Sequence, residues 1–258
     1  MELPLENEMK SLGVCVVIPT YNNSRFLPSV LDAVLSHTSS VIVVNDGSTD
    51  GTGKVLERYQ TTLEIISYRN NKGKGYALRR GFDKAEELGC RYAVTLDSDG
   101  QHAISDLPLF LEAIKKHPGA MILGSRELKQ ENMPKKNTFA NQFSNFWFTL
   151  QTGRKLPDTQ TGFRLYPLAA MKKMRPFTSR YEAELELLVR LAWRNIPQIP
   201  VFIQVRYPPG EERITHFRPS VDFLRISLLN TCFVFLALCY GYPSRFIRRF
   251  FHSKRLLS

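Results

Sequence analysis

The sequence predicts an α/β protein built on a mostly parallel sheet with helices on both faces, and two observations carry that prediction. Short β-branched apolar runs at 14–18, 41–44, 63–68, 92–96 and 120–123 alternate with longer stretches whose apolar residues recur at helical spacing. The joints between them hold glycine and polar residues in place of further apolar ones. A series of strands and helices in this order closes by right-handed crossovers into a parallel sheet.

The helical stretches of this first part are 27–36, 52–59, 76–88 and 107–116. After Arg126 the rhythm changes. An aromatic-rich helix is expected at 139–150, a loop at 158–166, a helix at 182–193, a strand at 199–207 and a final apolar helix. No proline- or serine-rich linker separates the parts, so one body is expected over 12–218, divided into halves 12–126 and 127–218. Residues 219–258 follow as an appended apolar helix and basic tail.

With 43% hydrophobic and 23% charged residues among 258, the chain has a globular composition, and disorder is expected only at short ends. Cys15, Cys90, Cys232 and Cys239 show no CxxC spacing, which argues against a zinc site and a secreted disulfide framework. The first residues alternate acidic and apolar (Glu2, Glu6, Glu8) without a basic region followed by an apolar core, so no signal peptide is expected and the cytosol is.

The formal charge of +11 calls for nucleic acid, anionic lipid or phosphorylated substrates as partner. Arg245, Arg248, Arg249, Lys254 and Arg255 directly follow the most apolar stretch, which favours an anionic membrane surface, and no nucleic-acid motif is present. Residues 226–242 carry no charge but fall slightly short of a bilayer core. A single crossing would also separate a cytosolic body from a basic tail, so the expectation is a peripheral or re-entrant helix at the cytoplasmic face, with a buried core helix as the alternative.

Ligands of open parallel sheets bind beyond the carboxyl ends of the strands, so the residues following each strand are the ones that carry chemistry. Asp97-Ser98-Asp99 follows the fourth strand, and two carboxylates there suit a hard cation such as Mg²⁺ or Mn²⁺, with Gln101 and His102 beside them. At the second strand, Asp46 is a candidate acceptor for a ribose or base edge, while Ser48 to Asp50 read as turn and cap. The segment 70–75 joins Lys72 and Lys74 to Gly73 and Gly75 at a strand-to-helix joint, a setting for phosphate. Neither GxGxxG nor GxxxxGK[ST] occurs, so dinucleotide and P-loop readings lose support. Arg126, after Gly124-Ser125, is a further cation placed to meet a diphosphate.

Taken in order, Val17-Ile18-Pro19-Thr20-Tyr21-Asn22, Asn45-Asp46-Gly47-Ser48-Thr49-Asp50-Gly51-Thr52, Asn71-Lys72-Gly73-Lys74-Gly75, Asp97-Ser98-Asp99-Gly100-Gln101-His102, Gly124-Ser125-Arg126 and Asp158-Thr159-Gln160-Thr161-Gly162-Phe163-Arg164 resemble the motifs of family-2 glycosyltransferases of the GT-A fold. The resemblance is strongest to enzymes that make polyprenyl- or dolichyl-phosphate mannose or glucose, and it covers roughly residues 14–207. It implies a nucleotide-sugar pocket using Pro19, Tyr21, Asp46, Lys74 and Asp97, a metal held by Asp97, Asp99 and Gln101, and Arg126 near the diphosphate. It also implies inversion at the anomeric carbon. Asn45 departs from the pattern, since the family often has a second aspartate there, and many relatives carry more than one transmembrane span.

A hydroxyl acceptor needs a general base and a lipid phosphate does not, so the base is the diagnostic residue. Asp158, Glu182 and Glu184 are the candidates. Helical spacing puts Glu182 and Glu186 on one face and Glu184 on the apolar side, and the family resemblance implies that Glu184 faces the site. Asp99, Glu184, Arg126 and Asp158 are thus the catalytic set, and Arg213, His216 and Arg218 form a candidate acceptor loop for a lipid phosphate or glycolipid. Polyprenyl phosphate is the favoured acceptor. A hydroxyl acceptor and a non-catalytic nucleotide-sugar-binding partner are the alternatives. Nothing in the sequence reads out the sugar or the oligomeric state.

Overall fold

The computed structural model describes residues 3–126, 135–172, 174, 177–205 and 219–246. The chain begins with α1 (Glu6–Leu12) and continues through β1 (Val14–Thr20), α2 (Leu27–Leu35), β2 (Val41–Asp46), α3 (Thr52–Glu57), β3 (Glu64–Tyr68), α4 (Lys74–Glu87), β4 (Tyr92–Thr95), α5 (Leu107–Lys116) and β5 (Met121–Arg126). The second part holds α6 (Lys135–Thr152), β6 (Arg164–Pro167), α7 (Leu168–Met171), α8 (Glu182–Trp193), β7 (Gln198–Ile203) and α9 (Pro219–Leu236). The expected α/β architecture is present.

Seven strands form one sheet in the order β3-β2-β1-β4-β6-β5-β7. Every neighbouring pair is parallel except those made by β6, which runs antiparallel between β4 and β5. Strands β1 and β2 are buried along their whole length, which is why they read as continuous apolar runs without alternation. One core lies on the face covered by α1, α2, α3 and α5, where Leu27, Leu31, Phe110 and Ile114 meet Val16 and Ile18. The other lies under α4, α6, α8 and α9, where Leu78, Phe148, Leu188 and Phe233 pack with Val17 and Tyr166.

Three expectations need correction. Residues 164–167, read as the end of a loop, form the fully buried strand β6. A strand that begins with arginine and ends with proline gives no hydrophobic signal, and here the arginine is buried because its guanidinium serves backbone carbonyls. The amino-terminal residues include a helix, α1, closed by Gly13 in the left-handed region at φ 65°. It is anchored by Glu6, which accepts hydrogen bonds from Thr38 Oγ1, Ser39 N–H and Ser39 Oγ. Finally, the apolar terminal helix exceeds the length expected of it: residues Leu224–Phe246, 23 in all, include an 18-residue stretch of mean hydropathy 1.6 and are long and apolar enough to cross a bilayer. A turn of π-helix at Ala237–Gly241 interrupts it. One face of this helix is docked on the body, where Asn230 accepts from Gln151 Nε2 at 2.9 Å and Phe233 packs on Trp193.

Candidate active site

Lys74 is the first residue of α4, preceded by Gly73 at φ 98°, a conformation that disfavours any side chain. A Cβ on Gly75 would overlap that of Ala183, so its absence lets α4 lie directly against α8. This close approach brings Lys74 to acidic partners from two other elements. Its Nζ is 2.7 Å from Asp97 Oδ1, beyond the end of β4, and 2.7 Å from Glu184 Oε2, in the first turn of α8. The lysine side chain is 16% exposed and that of Asp97 27%, so the cluster is lodged in the protein with one side open.

The electrostatics follow from this packing. Burial works against the Lys74 charge, but Asp97 and then Glu184 outweigh it and raise the ammonium above the ordinary lysine range. Burial likewise opposes the charge of Asp97; Lys74 overcomes it, helped by His102 and Arg164, and holds the carboxyl below its usual range. His102 is pushed down to about 4, chiefly by burial, so its imidazole is neutral at pH 7. Its Nδ1 is buried without a hydrogen-bond partner, and its ring rests against Phe163.

Asp99 sits two residues beyond Asp97, and its Oδ1 accepts the Gln101 N–H at 3.0 Å, fixing a tight turn that keeps Asp97, Asp99 and Gln101 on one loop. Asn23 ties this loop to the end of β1, donating from Nδ2 to the Ser98 carbonyl at 2.6 Å. The donors on the loop are all hard oxygens, which suits Mg²⁺ or Mn²⁺. Among the described residues no group of three or more His, Cys, Asp or Glu converges on one point.

Asp46 closes β2 and is buried, and its carboxylate is engaged within the protein. Oδ1 accepts the Lys72 N–H, and Oδ2 accepts the Gly73 N–H and Asn71 Nδ2, all between 2.8 and 2.9 Å. In this structure it anchors the glycine loop that launches Lys74. Asp50 caps the next helix as expected, accepting the Thr52 N–H, and also receives the Ser24 N–H. Pro19 lies at the end of β1 beside Val44, and Tyr21 follows it, half-buried, on the same edge of the sheet.

Arg126 and Asp158 form a second ion pair. Arg126 Nε and Nη2 donate to the two Asp158 oxygens at 2.6 and 3.0 Å, and its backbone N–H adds a third contact. Asn141 Nδ2 and the Gln160 N–H also donate to Asp158, whose side chain is wholly buried. Burial pulls its pKa up, the Arg126 hydrogen bond and charge pull it down, and the balance is below the ordinary value. A carboxylate saturated in this way is a poor proton acceptor, and its contacts hold the Arg126 guanidinium in place. Glu184 differs: its Oε1 is buried with no partner. Glu182 also keeps a buried, unpartnered oxygen, whereas Glu186 is taken up by the Phe177 and Thr178 N–H groups, Thr178 Oγ1 and Arg190.

Arg164 had no assigned role in the sequence beyond its place in the motif. It is almost completely buried, and its guanidinium donates to the carbonyls of Thr159, Thr161 and Glu184 at 2.6 to 2.9 Å. It thereby fixes the 158–164 loop and the start of α8 together. Gly162 was equally unforeseen as a contact: a Cβ there would overlap the carboxylate of Asp97. Arg213, His216 and Arg218 lie outside the described residues.

The chain is similar in sequence and in fold to known proteins. In solved structures, the glucosyl-3-phosphoglycerate synthase of Mycobacterium tuberculosis in complex with UDP superposes with a TM-score of 0.62 at 19% identity, covering 90% of this chain and 82% of that one, a likeness of GT-A fold. Among curated proteins, the chain is 28% identical over 211 residues to a UDP-N-acetylglucosamine–dolichyl-phosphate N-acetylglucosaminyltransferase of Methanococcus voltae, covering 73% of this chain and 84% of the relative. It is 30% identical over 237 residues to the dolichyl-phosphate beta-glucosyltransferase of Saccharomyces cerevisiae, covering 77% and 70%. It is 31% identical over 165 residues to the undecaprenyl-phosphate mannosyltransferase of Micrococcus luteus, covering 60% and 66%. The pattern of glycosyl transferase family 2 matches residues 15–175, which include β2 to β6, all but the first residue of β1, the glycine loop and the Asp97–Asp99 turn, and the chain belongs to that family.

Proposed function

We propose that the protein is an inverting, metal-dependent hexosyltransferase that moves a sugar from a nucleotide-diphospho-sugar to a polyprenyl phosphate. One observation carries the reading of the site: a lysine held at the mouth of the sheet by carboxylates from β4 and α8, beside the Asp97–Asp99 turn. The acceptor is supported by the dolichyl- and undecaprenyl-phosphate relatives. Residues 12–126 serve the donor and 127–218 the acceptor.

In this mechanism Pro19, Tyr21 and the Asp46-anchored loop bound the nucleotide, and Asp97, Asp99 and Gln101 would hold Mg²⁺ or Mn²⁺. When bound, the cation neutralises charge that grows on the departing diphosphate. Lys74 supplies a fixed positive charge toward the same oxygens, and Arg126, oriented by Asp158, supplies another. Neither cation has to reorganise, because each is already held by buried carboxylates. A lipid phosphate arrives as an anion and needs no proton removed, so it attacks the anomeric carbon from the face opposite the leaving group and inverts it. Arg213, His216 and Arg218 are proposed to meet that phosphate. The unpartnered Glu184 oxygen supports a second reading, in which the acceptor is a hydroxyl of a lipid or glycan and Glu184 takes its proton.

The apolar helix supports work at a membrane. Leu224, Leu228, Phe235, Leu238 and Phe246 are all more than half exposed, while Phe233 and Ala237 are buried on the body. A helix docked along one face and apolar on the other suits a peripheral or re-entrant position at the cytoplasmic surface, with the basic tail on anionic headgroups.

The test is transfer by the purified protein across UDP- and GDP-sugars with Mn²⁺ or Mg²⁺, with and without polyprenyl phosphate, against Asp99→Ala. Metal-dependent turnover that requires the lipid phosphate and is lost in the variant is the expected result. Donor hydrolysis that the lipid phosphate never accelerates would move the assignment to the hydroxyl acceptor, and a Glu184→Gln variant without activity but with intact donor binding would secure that move.

A further inference from the structure

Cys15 and Cys90 take no part in the site, yet the fold places their thiols together. Cys15 is the second residue of β1 and is buried, and Cys90 lies half-buried in the turn between α4 and β4. The register of β1 against β4, with Cys15 beside Ala93, brings the two near each other at the amino-terminal edge of the sheet, away from the ligand-binding edge. The Cys15 thiol donates to the carbonyl of Tyr92, two residues beyond Cys90, at 3.7 Å, and both cysteines pack in the core under α4. Both sulfurs line one cavity of about 390 Å³, together with Ser39, Ser40, Thr62 and Glu64.

We propose that Cys15 and Cys90 form a reversible dithiol–disulfide site that exchanges with small-molecule disulfides admitted through this cavity. Cys90 is the attacking sulfur, because it is the more accessible of the two. Interaction with Cys15 lowers its thiol below the ordinary cysteine range, which favours the thiolate. The Cys90 thiolate attacks one sulfur of the incoming disulfide, the S–S bond breaks, and one thiolate leaves. Cys15, whose thiol is held above the ordinary range by Cys90 and by burial, then passes its proton to the released thiolate and attacks Cys90 Sγ, expelling the second thiolate, which is protonated by solvent. Two electrons pass from the protein dithiol to the small disulfide, which departs as two thiols. The product is a covalent link between β1 and the end of α4, the two elements whose opposite ends present Tyr21 and Lys74.

The experiment uses the full chain with Cys232→Ser and Cys239→Ser, which removes the two exposed thiols on the apolar helix. The protein is incubated with glutathione disulfide under native conditions, and its thiols are blocked, counted and mapped by mass spectrometry. The expected result is loss of both remaining thiols, a Cys15–Cys90 linked peptide, and full recovery with dithiothreitol. Adding Cys15→Ala to this background should halt the reaction at a glutathione adduct on Cys90, while Cys90→Ser should leave Cys15 unreacted. Circular dichroism checks that each variant is folded. Two free thiols surviving in the folded protein, or glutathione adducts on both cysteines without a link, would overturn the proposal.

Discussion

Replacing Lys74 by methionine keeps the length and apolar stem of the side chain and removes the one charge that bridges Asp97 and Glu184. At 2.7 Å each contact represents a gross attraction of about 6 kcal/mol at an effective dielectric near 20, offset by the cost of desolvating the charges. What the substitution exposes is the penalty of leaving buried carboxylates without a counter-charge, about 3–5 kcal/mol where solvent is excluded. Asp97 retains 27% exposure, so the lower end, about 3 kcal/mol, is expected in urea unfolding at pH 7. The sign with pH is also fixed. In the parent protein Asp97 has a lowered pKa, so it contributes stability that is present above the ordinary carboxylate value and lost as pH falls through the folded one. In Lys74→Met burial acts on Asp97 against only the weaker pull of His102 and Arg164, so its pKa rises and the variant loses less stability than the parent on acidification. The difference between the two proteins should therefore shrink between pH 7 and pH 4. Adding Asp97→Asn should restore about half of the loss at pH 7 while transfer stays abolished. A deficit below about 1 kcal/mol, or one that does not change with pH, would show that the cluster behaves as a solvent-screened surface pair, and the argument for a preorganised cation would fail.

Four further outcomes are expected. Glu6, held at about 2 by its Ser39, Lys10 and Thr38 hydrogen bonds against the opposing effect of burial, contributes stability that is complete above about pH 4.5 and lost as pH falls through 2. Glu6→Gln should cost about 2 kcal/mol in urea unfolding at pH 7, and the gap should close near pH 2. Asp158→Asn weakens the hold on Arg126 and should lower turnover at least tenfold while raising the donor KM; an unchanged KM would remove Arg126 from the diphosphate. Gly75→Ala forces α4 and α8 apart at Ala183 and should depress turnover with a midpoint shift of only a few degrees in thermal melts, because the overlap is local. Leu228→Ser with Phe235→Ser removes two side chains that are 58% and 66% exposed, so melting should not change, while affinity for anionic vesicles should fall by roughly a hundredfold or more, at about 1.5–3 kcal/mol for each apolar side chain withdrawn from lipid.

Local chemistry made much of this protein readable before any coordinates. The buried parallel strands announce themselves as unbroken valine and isoleucine runs, and the polar residues at their ends mark the ligand edge, because the sheet interior has no use for them. Asp97, Asp99, Lys74 and Arg126 stand out for that reason, and the order of their motifs is what carries the family. The contacts between distant segments were not readable. That Lys74 is shared between Asp97 and Glu184 depends on how closely α4 approaches α8, which Gly75 permits but no spacing encodes. Asp158 looks like a free acid in sequence and becomes the saturated partner of Arg126 only when α6 brings Asn141 against it. Arg164 has no role in the sequence beyond its place in the motif and becomes the buried donor that ties loop to helix, because a guanidinium can be taken out of water when three carbonyls converge on it. Sequence thus determined which residues face the ligand edge, since strand period and turn chemistry are local; tertiary structure alone decided which charges neutralise one another, since Coulomb partners are chosen by distance through space.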